Sequence, residues 1–248
     1  MNAHLRGKVA LVTGGSRGLG AASVRKLAAA GADVAITYLQ AADHAECVAE
    51  SVRKHGVRAE TFQADQADFD QVRGMVDAVA EQFGRIDILV NNAGTAVGGV
   101  IGEVPQACRD RIWAVNVHGL VATTEQVIAH MPDGGRIINV GSVAGLRVFV
   151  GGLGDYGATK AAVGMYAHSW AHELAPRRIT VHTVLSGWAD TELAPPPSSP
   201  LGQQVLAQVP LGRYADPDEI AGTIAFLAGP AAAYITGTDL RVDGGRHA

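Results

Sequence analysis

Cysteine is scarce in this 248-residue chain, which has only Cys47 and Cys108. Both fall in stretches of helical composition and read as reduced thiols, which excludes a disulfide-stapled framework. Basic charge is not in excess: 20 Lys and Arg face 24 Asp and Glu, for a formal charge of −4. No basic patch stands out, which speaks against nucleic acid as a partner. No apolar run reaches the ~18 residues of a membrane span. Met1 to Lys8 is polar and short and leads straight into a strand, so no signal peptide and a cytoplasmic protein are expected. Internal repeats and domain boundaries are also missing. What is abundant is apolar side chain, 48% against 18% charged, enough for a large core. Glycine is plentiful too, with 31 residues that fall at strand ends, where backbone must turn sharply or approach a ligand.

The stretch from Ile137 to Lys160 carries the chemistry. Ile137-Ile138-Asn139-Val140-Gly141-Ser142 reads as a strand that delivers a hydroxyl to its carboxyl end. After a Gly-rich connection, Tyr156 and Lys160 stand four residues apart at the start of an Ala-rich helix. That spacing puts both on one face, with Cβ atoms within about 5–6 Å. An ammonium beside a phenol favours the phenolate and lowers a pKa that is normally about 10. A hydroxyl at Ser142 would hold a carbonyl oxygen against that phenol. This combination is a proton-transfer site.

The remaining chain alternates strands and helices, which means a parallel sheet with helices on both faces. The strands are expected at Lys8 to Val12, Asp33 to Thr37, Arg58 to Gln63, Ile86 to Val90, Gly135 to Gly141, Ile179 to Leu185 and Asp239 to Val242. The first runs into Thr13-Gly14-Gly15-Ser16-Arg17-Gly18-Leu19-Gly20 and a helix over Ala21 to Ala30, with Gly31 as its C-cap. Glycines at 14, 18 and 20 let backbone amides and a helix N-terminus meet a pyrophosphate. The second strand ends without the acid that usually reads a free ribose 2′-hydroxyl. Arg17 in the turn and Thr37 at the strand end favour a 2′-phosphate instead. Further helices are expected over Asp43 to His55, Asp68 to Phe83, Pro105 to Met131 as one long helix, Asp155 to Ala175, and Pro217 to Leu227 with Asp216 as N-cap. Asn116 lies among apolar neighbours in the long helix, where a buried amide needs partners. Pro195 to Pro200 is too proline-rich for regular structure, and Gln203 to Gln208 is a short helix. The insertion over residues 190–212 follows the carboxyl end of a strand, where ligands bind in open parallel sheets, and reads as a substrate lid.

Thr13-Gly14-x-x-x-Gly18-x-Gly20, Asn91-Asn92-Ala93-Gly94, Asn116, Ser142 and Tyr156-x-x-x-Lys160 occur in that order. Together they resemble the short-chain dehydrogenase/reductase family over nearly the whole chain, and most of all its 3-oxoacyl-acyl-carrier-protein reductase branch. The tail Val242-Asp243-Gly244-Gly245 is similar as well. The resemblance implies one Rossmann-type domain over residues 1–248, with seven parallel strands in the order 3-2-1-4-5-6-7. It also implies a nicotinamide cofactor, NADP(H) in preference to NAD(H), and a homotetramer (or a dimer) built on the helices near 105–130 and 155–175. By the same resemblance Tyr156 is general acid and base, Lys160 lowers its pKa and bonds the nicotinamide ribose, and Ser142 polarises the carbonyl. Asn116 holds a water that links Lys160 to solvent. The cofactor contacts implied are Gly14, Ser16, Arg17, Gly18, Leu19, Gly20, Thr37, Asp65 (at the adenine), Gln66, Asn92, Ala93, Gly94, Tyr156, Lys160, Gly187, Trp188 and Thr191.

Three departures from the family pattern bear on these expectations. Ser186 precedes Gly187 where relatives have Pro, which predicts a looser turn. Ser142 and Tyr156 are fourteen positions apart, one more than expected, and the extra residue lies in the rim from Arg147 to Gly154. Gln66 replaces the Val or Leu that is common after the Asp. Other chemistries fit less well. Val140-Gly141-Ser142-Val143-Ala144 is not the G-x-S-x-G of a hydrolase elbow. His168 and His172, at i and i+4, have no third partner at metal-ligand spacing, so no metal site is expected. A cofactor sensor without turnover would need none of Ser142, Tyr156, Lys160 and Asn116. The substrate expected from Ala96 to Val100, Arg147 to Leu153, Trp188 and the lid is an apolar or bulky carbonyl compound.

Overall fold

The computed structural model describes residues 3–148 and 150–248. Met1 and Asn2 of the amino-terminal lead, and Phe149 of the expected substrate rim, lie outside the described residues. Seven strands form one sheet: β1 Val9–Val12, β2 Asp33–Tyr38, β3 Ala59–Gln63, β4 Ile88–Asn91, β5 Arg136–Ser142, β6 Thr180–Ser186 and β7 Thr238–Val242. Every pairing is parallel, in the order 3-2-1-4-5-6-7, as the family resemblance implies. β1 and β4 are buried along their whole length, as strands covered on both faces must be.

Helices α1 Gly18–Ala29, α2 Ala42–Arg53, α3 Phe69–Phe83, α4 Gln106–Trp113, α5 Leu120–His130, α6 Gly154–Leu174, α7 Pro200–Leu206 and α8 Pro217–Ala228 cover the sheet. Val24, Leu27, Val48, Ile220 and Ile224 pack α1, α2 and α8 against Ile36, Val12, Val90, Ile138 and Val184 on one face. Val76, Val127, Ala167 and Ala171 pack α3, α5 and α6 against Leu11, Leu89, Ile137 and Val181 on the other. Alternate residues of each strand feed the two cores, so the carboxyl ends of the strands are left as the edge where side chains can converge.

Two expectations change. The helix expected over 105–131 is interrupted by a π-helical segment, Ala114–Gly119, between α4 and α5. A one-residue widening of this kind does not alter composition or apolar spacing, so nothing in the sequence marks it. The second change is at the proline-rich stretch. Pro200 opens α7 rather than excluding it, because Pro is tolerated at the first helical position and the Ser199 side chain caps the amide of Gly202. Asp216 caps α8 as expected, and Glu219 reaches back to the Asp216 amide.

Candidate active site

Three side chains meet where β5 ends and α6 begins. Ser142 is the last residue of β5 and is buried. Tyr156 sits in the first turn of α6, with Lys160 one turn further on. Lys160 Nζ lies 5.9 Å from the centre of the Tyr156 ring and donates to the carbonyl oxygen of Val140 at 2.8 Å. Burial pushes the Tyr156 phenol above its ordinary value, and its hydrogen bond with Ser142 pulls in the opposite direction. Burial also brings the Lys160 ammonium down to about 8. The sheet register places Ser142 beside Ser186, so the turn after β6 borders the same site.

Asn116 and Gly94 complete this centre. Asn116 lies in the π-helical segment and is almost wholly buried. Its Oδ1 accepts from the Thr95 amide at 2.8 Å, and its Nδ2 donates to the Thr95 carbonyl at 2.9 Å and to Thr159 Oγ1 at 3.1 Å. Both amide hydrogens are thus committed, so the side chain can offer a water only the second lone pair of Oδ1. A Cβ added at Gly94 would stand 3.4 Å from Asn116 Oδ1 and 3.7 Å from Lys160 Nζ. Gly94, Asn116 and Lys160 therefore share one small space.

The Gly-rich turn forms a cradle next to this centre. Gly14 and Gly18 have φ of +64° and +52°, a region that L side chains rarely enter. A Cβ on Gly20 would fall 2.1 Å from the Gly14 carbonyl oxygen and 2.6 Å from Asn92 Nδ2. The N-terminus of α1 has no side-chain cap from Arg17 and no acidic residue in its first turn, which leaves its amides for an anion. A nucleotide pyrophosphate fits that cradle. Ser16 and Leu19 flank it, partly buried.

Several residues expected at the cofactor are also braces for this turn. Thr37 Oγ1 accepts from the Gly14 amide at 3.1 Å. Asn92 Nδ2 donates to the carbonyls of Thr13 and Gly14, and the Ala93 amide donates to Thr13 Oγ1. The Asp65 carboxylate is gripped by both arms of Arg111, at 2.9 and 3.0 Å, and accepts from the Ala67 amide. Burial alone would raise that carboxyl; Arg111 and the amide leave it below its ordinary value. Gln66 is buried and donates to the Gly119 carbonyl and to Thr123 Oγ1, tying the end of β3 to the π-helical segment. Arg17 is exposed and pairs with Glu192 at 2.7 Å.

The turn at Gly187 is held rather than loose. Ser186 Oγ donates to the Gly187 carbonyl at 2.7 Å, and the Gly187 amide donates to the Val242 carbonyl at 2.9 Å. Trp188 stands 6.4 Å from Tyr214, ring centre to ring centre, and Ala189 bridges Ala215. Both ends of the 190–212 stretch are fixed there, and Thr191 lies over Gly18. On the other rim, the Gly99 amide donates to the Gly152 carbonyl at 3.0 Å. A cavity of about 530 Å³ opens beside that contact, lined by Val100, Ile101, Val104, Arg109 and Asp155 among others.

Arg111, Thr95, Thr159 and Glu192 were not singled out in the sequence. Glu192 adjoins Thr191, so proximity could have flagged it. Arg111 is one of several helix charges, and only the fold brings it to Asp65.

Comparison with known proteins points to one family. The family described as enoyl-(acyl carrier protein) reductase matches residues 14–247. A short-chain dehydrogenase/reductase from Serratia marcescens is 44% identical, covers 99% of this chain and 100% of its own, and superposes with a TM-score of 0.96. The chain is a short-chain dehydrogenase/reductase. This short-chain dehydrogenase/reductase is also similar to the 3-oxoacyl-[acyl-carrier-protein] reductase of Staphylococcus aureus, 38% identical over 97% of this chain and 98% of the relative. It resembles a blue fluorescent protein from a metagenomic library as well, solved in complex with NADPH, at 42% identity and a TM-score of 0.96 over 99% of this chain and 100% of that one. The chain is therefore an oxidoreductase by family. No helix among the described residues is long and apolar enough to cross a membrane.

Proposed function

We propose that this oxidoreductase interconverts a carbonyl compound and a secondary alcohol with NADP(H), acting chiefly as a ketoreductase. The observation that carries the reading is the convergence of Ser142, Tyr156 and Lys160 at the carboxyl edge of β5, beside an anion cradle at the start of α1. The cradle residues Gly14, Ser16, Gly18, Leu19 and Gly20 would hold the pyrophosphate, and Arg17 a 2′-phosphate. Asp65, Gln66, Asn92 to Gly94, Gly187, Trp188 and Thr191 would line the rest of the cofactor. When bound, the nicotinamide supplies or accepts the hydride.

Each protein group has a defined task. The Ser142 hydroxyl donates to the substrate oxygen and fixes its position. The Tyr156 phenol gives its proton to that oxygen in reduction and takes it back in oxidation. Lys160, held by Val140, sets a positive charge near the phenol and would bond the nicotinamide ribose. Charge developing on Tyr156 is favoured only while Lys160 is protonated, and an ammonium brought down to about 8 stays largely protonated at neutral pH. Asn116 keeps the Thr95 and Thr159 contacts that shape the space beside Lys160 and supports a water there.

The 190–212 stretch is proposed as the lid over an apolar or bulky carbonyl substrate, with Trp188, residues 96–100 and the described residues of 147–153 as the other walls. A homotetramer on the α4–α5 and α6 faces fits the exposed Met165 and Tyr166 of α6. The test is absorbance of the reduced nicotinamide with NADPH or NADH across a broad panel of ketones, with the matching alcohols in reverse. Turnover with NADPH on ketones supports the proposal. Tight NADPH binding with no turnover on any of them would overturn it in favour of a cofactor sensor.

A further inference from the structure

Among the described residues, the carboxylate paired with Arg17 belongs to the start of the lid. Glu192 Oε2 lies 2.7 Å from Arg17 Nη1, and both side chains are largely exposed, at 65% for Arg17 and 70% for Glu192. Thr191, one residue earlier, lies against the Gly-rich turn: a Cβ on Gly18 would be 3.5 Å from its Cγ2. The first turn of the lid is closed by the Ala194 amide bonding the Thr191 carbonyl. An ordered segment therefore presents an anion to the guanidinium that the proposed function assigns to the 2′-phosphate.

Three features make this pair a replaceable one. A single contact joins them, not the two-armed fork by which Arg111 grips Asp65. Both groups are well solvated, so parting them costs little. A phosphate dianion offers Arg17 more charge and more acceptors than one carboxylate does. Glu192 would also repel a phosphate placed on the same guanidinium. If the pair instead persisted in the loaded protein, Glu192 would help by aiming Arg17. The two roles have opposite signs.

We propose that Glu192 is an internal competitor for Arg17 and so a determinant of cofactor specificity, one that lowers the preference for a 2′-phosphorylated dinucleotide. The inference rests on the proposed role of Arg17. The Glu192 carboxylate holds the anion position on Arg17, and it must leave for a phosphate to take its place. Neutralising Glu192 tightens NADPH binding and changes NADH binding less.

Equilibrium titrations with NADPH and NADH at low ionic strength, read by nucleotide fluorescence without substrate, test this on wild type, Glu192→Gln, Arg17→Ala and the double variant. Glu192→Gln is expected to tighten NADPH by about 2- to 5-fold, the scale of an exposed ion pair, with a smaller change for NADH. On the Arg17→Ala background that gain falls by at least half. Unchanged or weaker NADPH binding by Glu192→Gln, while Arg17→Ala still weakens it, would overturn the competitor role alone. Full retention of the gain without Arg17 would overturn competition in favour of simple repulsion. NADPH binding untouched by Arg17→Ala would remove the underlying assignment of Arg17, and the competitor role with it.

Discussion

Lys160 and Val140 are joined by a 2.8 Å hydrogen bond from ammonium to carbonyl, across twenty residues of sequence. The bond ties α6 to the strand that carries Ser142. It also accounts for how an ammonium is kept in a site that burial disfavours.

That burial has a pH signature. Lys160 titrates near 8 in the fold instead of at its ordinary 10.5. Between those values the folded chain has lost a proton that the unfolded chain keeps, so this group adds stability as pH rises through the window. The contribution is fully present above 10.5 and is lost as pH falls through about 8. Lys160→Met removes the titration. In urea unfolding, wild type is expected to gain on the variant by up to about 1.4 kcal/mol per pH unit across the window. A difference that stays flat from pH 7.5 to 10 (roughly the span that brackets the titration) would contradict a buried, depressed ammonium.

Asn116 is a structural clamp whatever else it does. Asn116→Leu keeps the volume but strands the Thr95 amide and carbonyl, while Thr159 Oγ1 loses a donor and keeps its own bond to the Tyr156 carbonyl. Stranded buried groups cost about 1–3 kcal/mol each when water cannot reach them. Denaturation should show a loss of at least about 2 kcal/mol, together with slower turnover. Unaltered stability would mean that the amide contacts are not maintained in solution.

Two glycines should respond in opposite directions. Gly20→Ala would drive a methyl into the Gly14 carbonyl and Asn92, so it should destabilise by about 1–3 kcal/mol and weaken NADPH binding tenfold or more. Gly74 lies exposed within α3 with nothing near its missing Cβ. Gly74→Ala should stabilise by about 0.5–1 kcal/mol. Thermal melts of the two variants check both signs, and a melt of Gly20→Ala equal to wild type would refute the tight cradle.

Much of this was legible in the sequence, for identifiable reasons. Strand–turn–helix order follows from apolar runs punctuated by glycine, and Tyr156 with Lys160 follows from helical spacing. Strand order came from the family resemblance, since composition does not say which strands pair. Long-range contacts were hidden for the same reason. Arg111 and Asp65 are far apart in the chain, and so are Gln66 and the Gly119 and Thr123 groups that it bonds. Ser186 suggested a looser turn because proline stiffens covalently. The structure supplies stiffness there by hydrogen bonds that no local pattern announces.

The most direct measurement compares Tyr156→Phe with wild type, using NADPH, a ketone that the panel identifies, and a parallel binding titration. Only the phenolic proton donor is removed. Turnover should fall by about 10²- to 10⁴-fold while the NADPH dissociation constant changes less than about threefold, within the range of a peripheral contact. Turnover retained at the wild-type rate would contradict the assignment of Tyr156 as the acid and base.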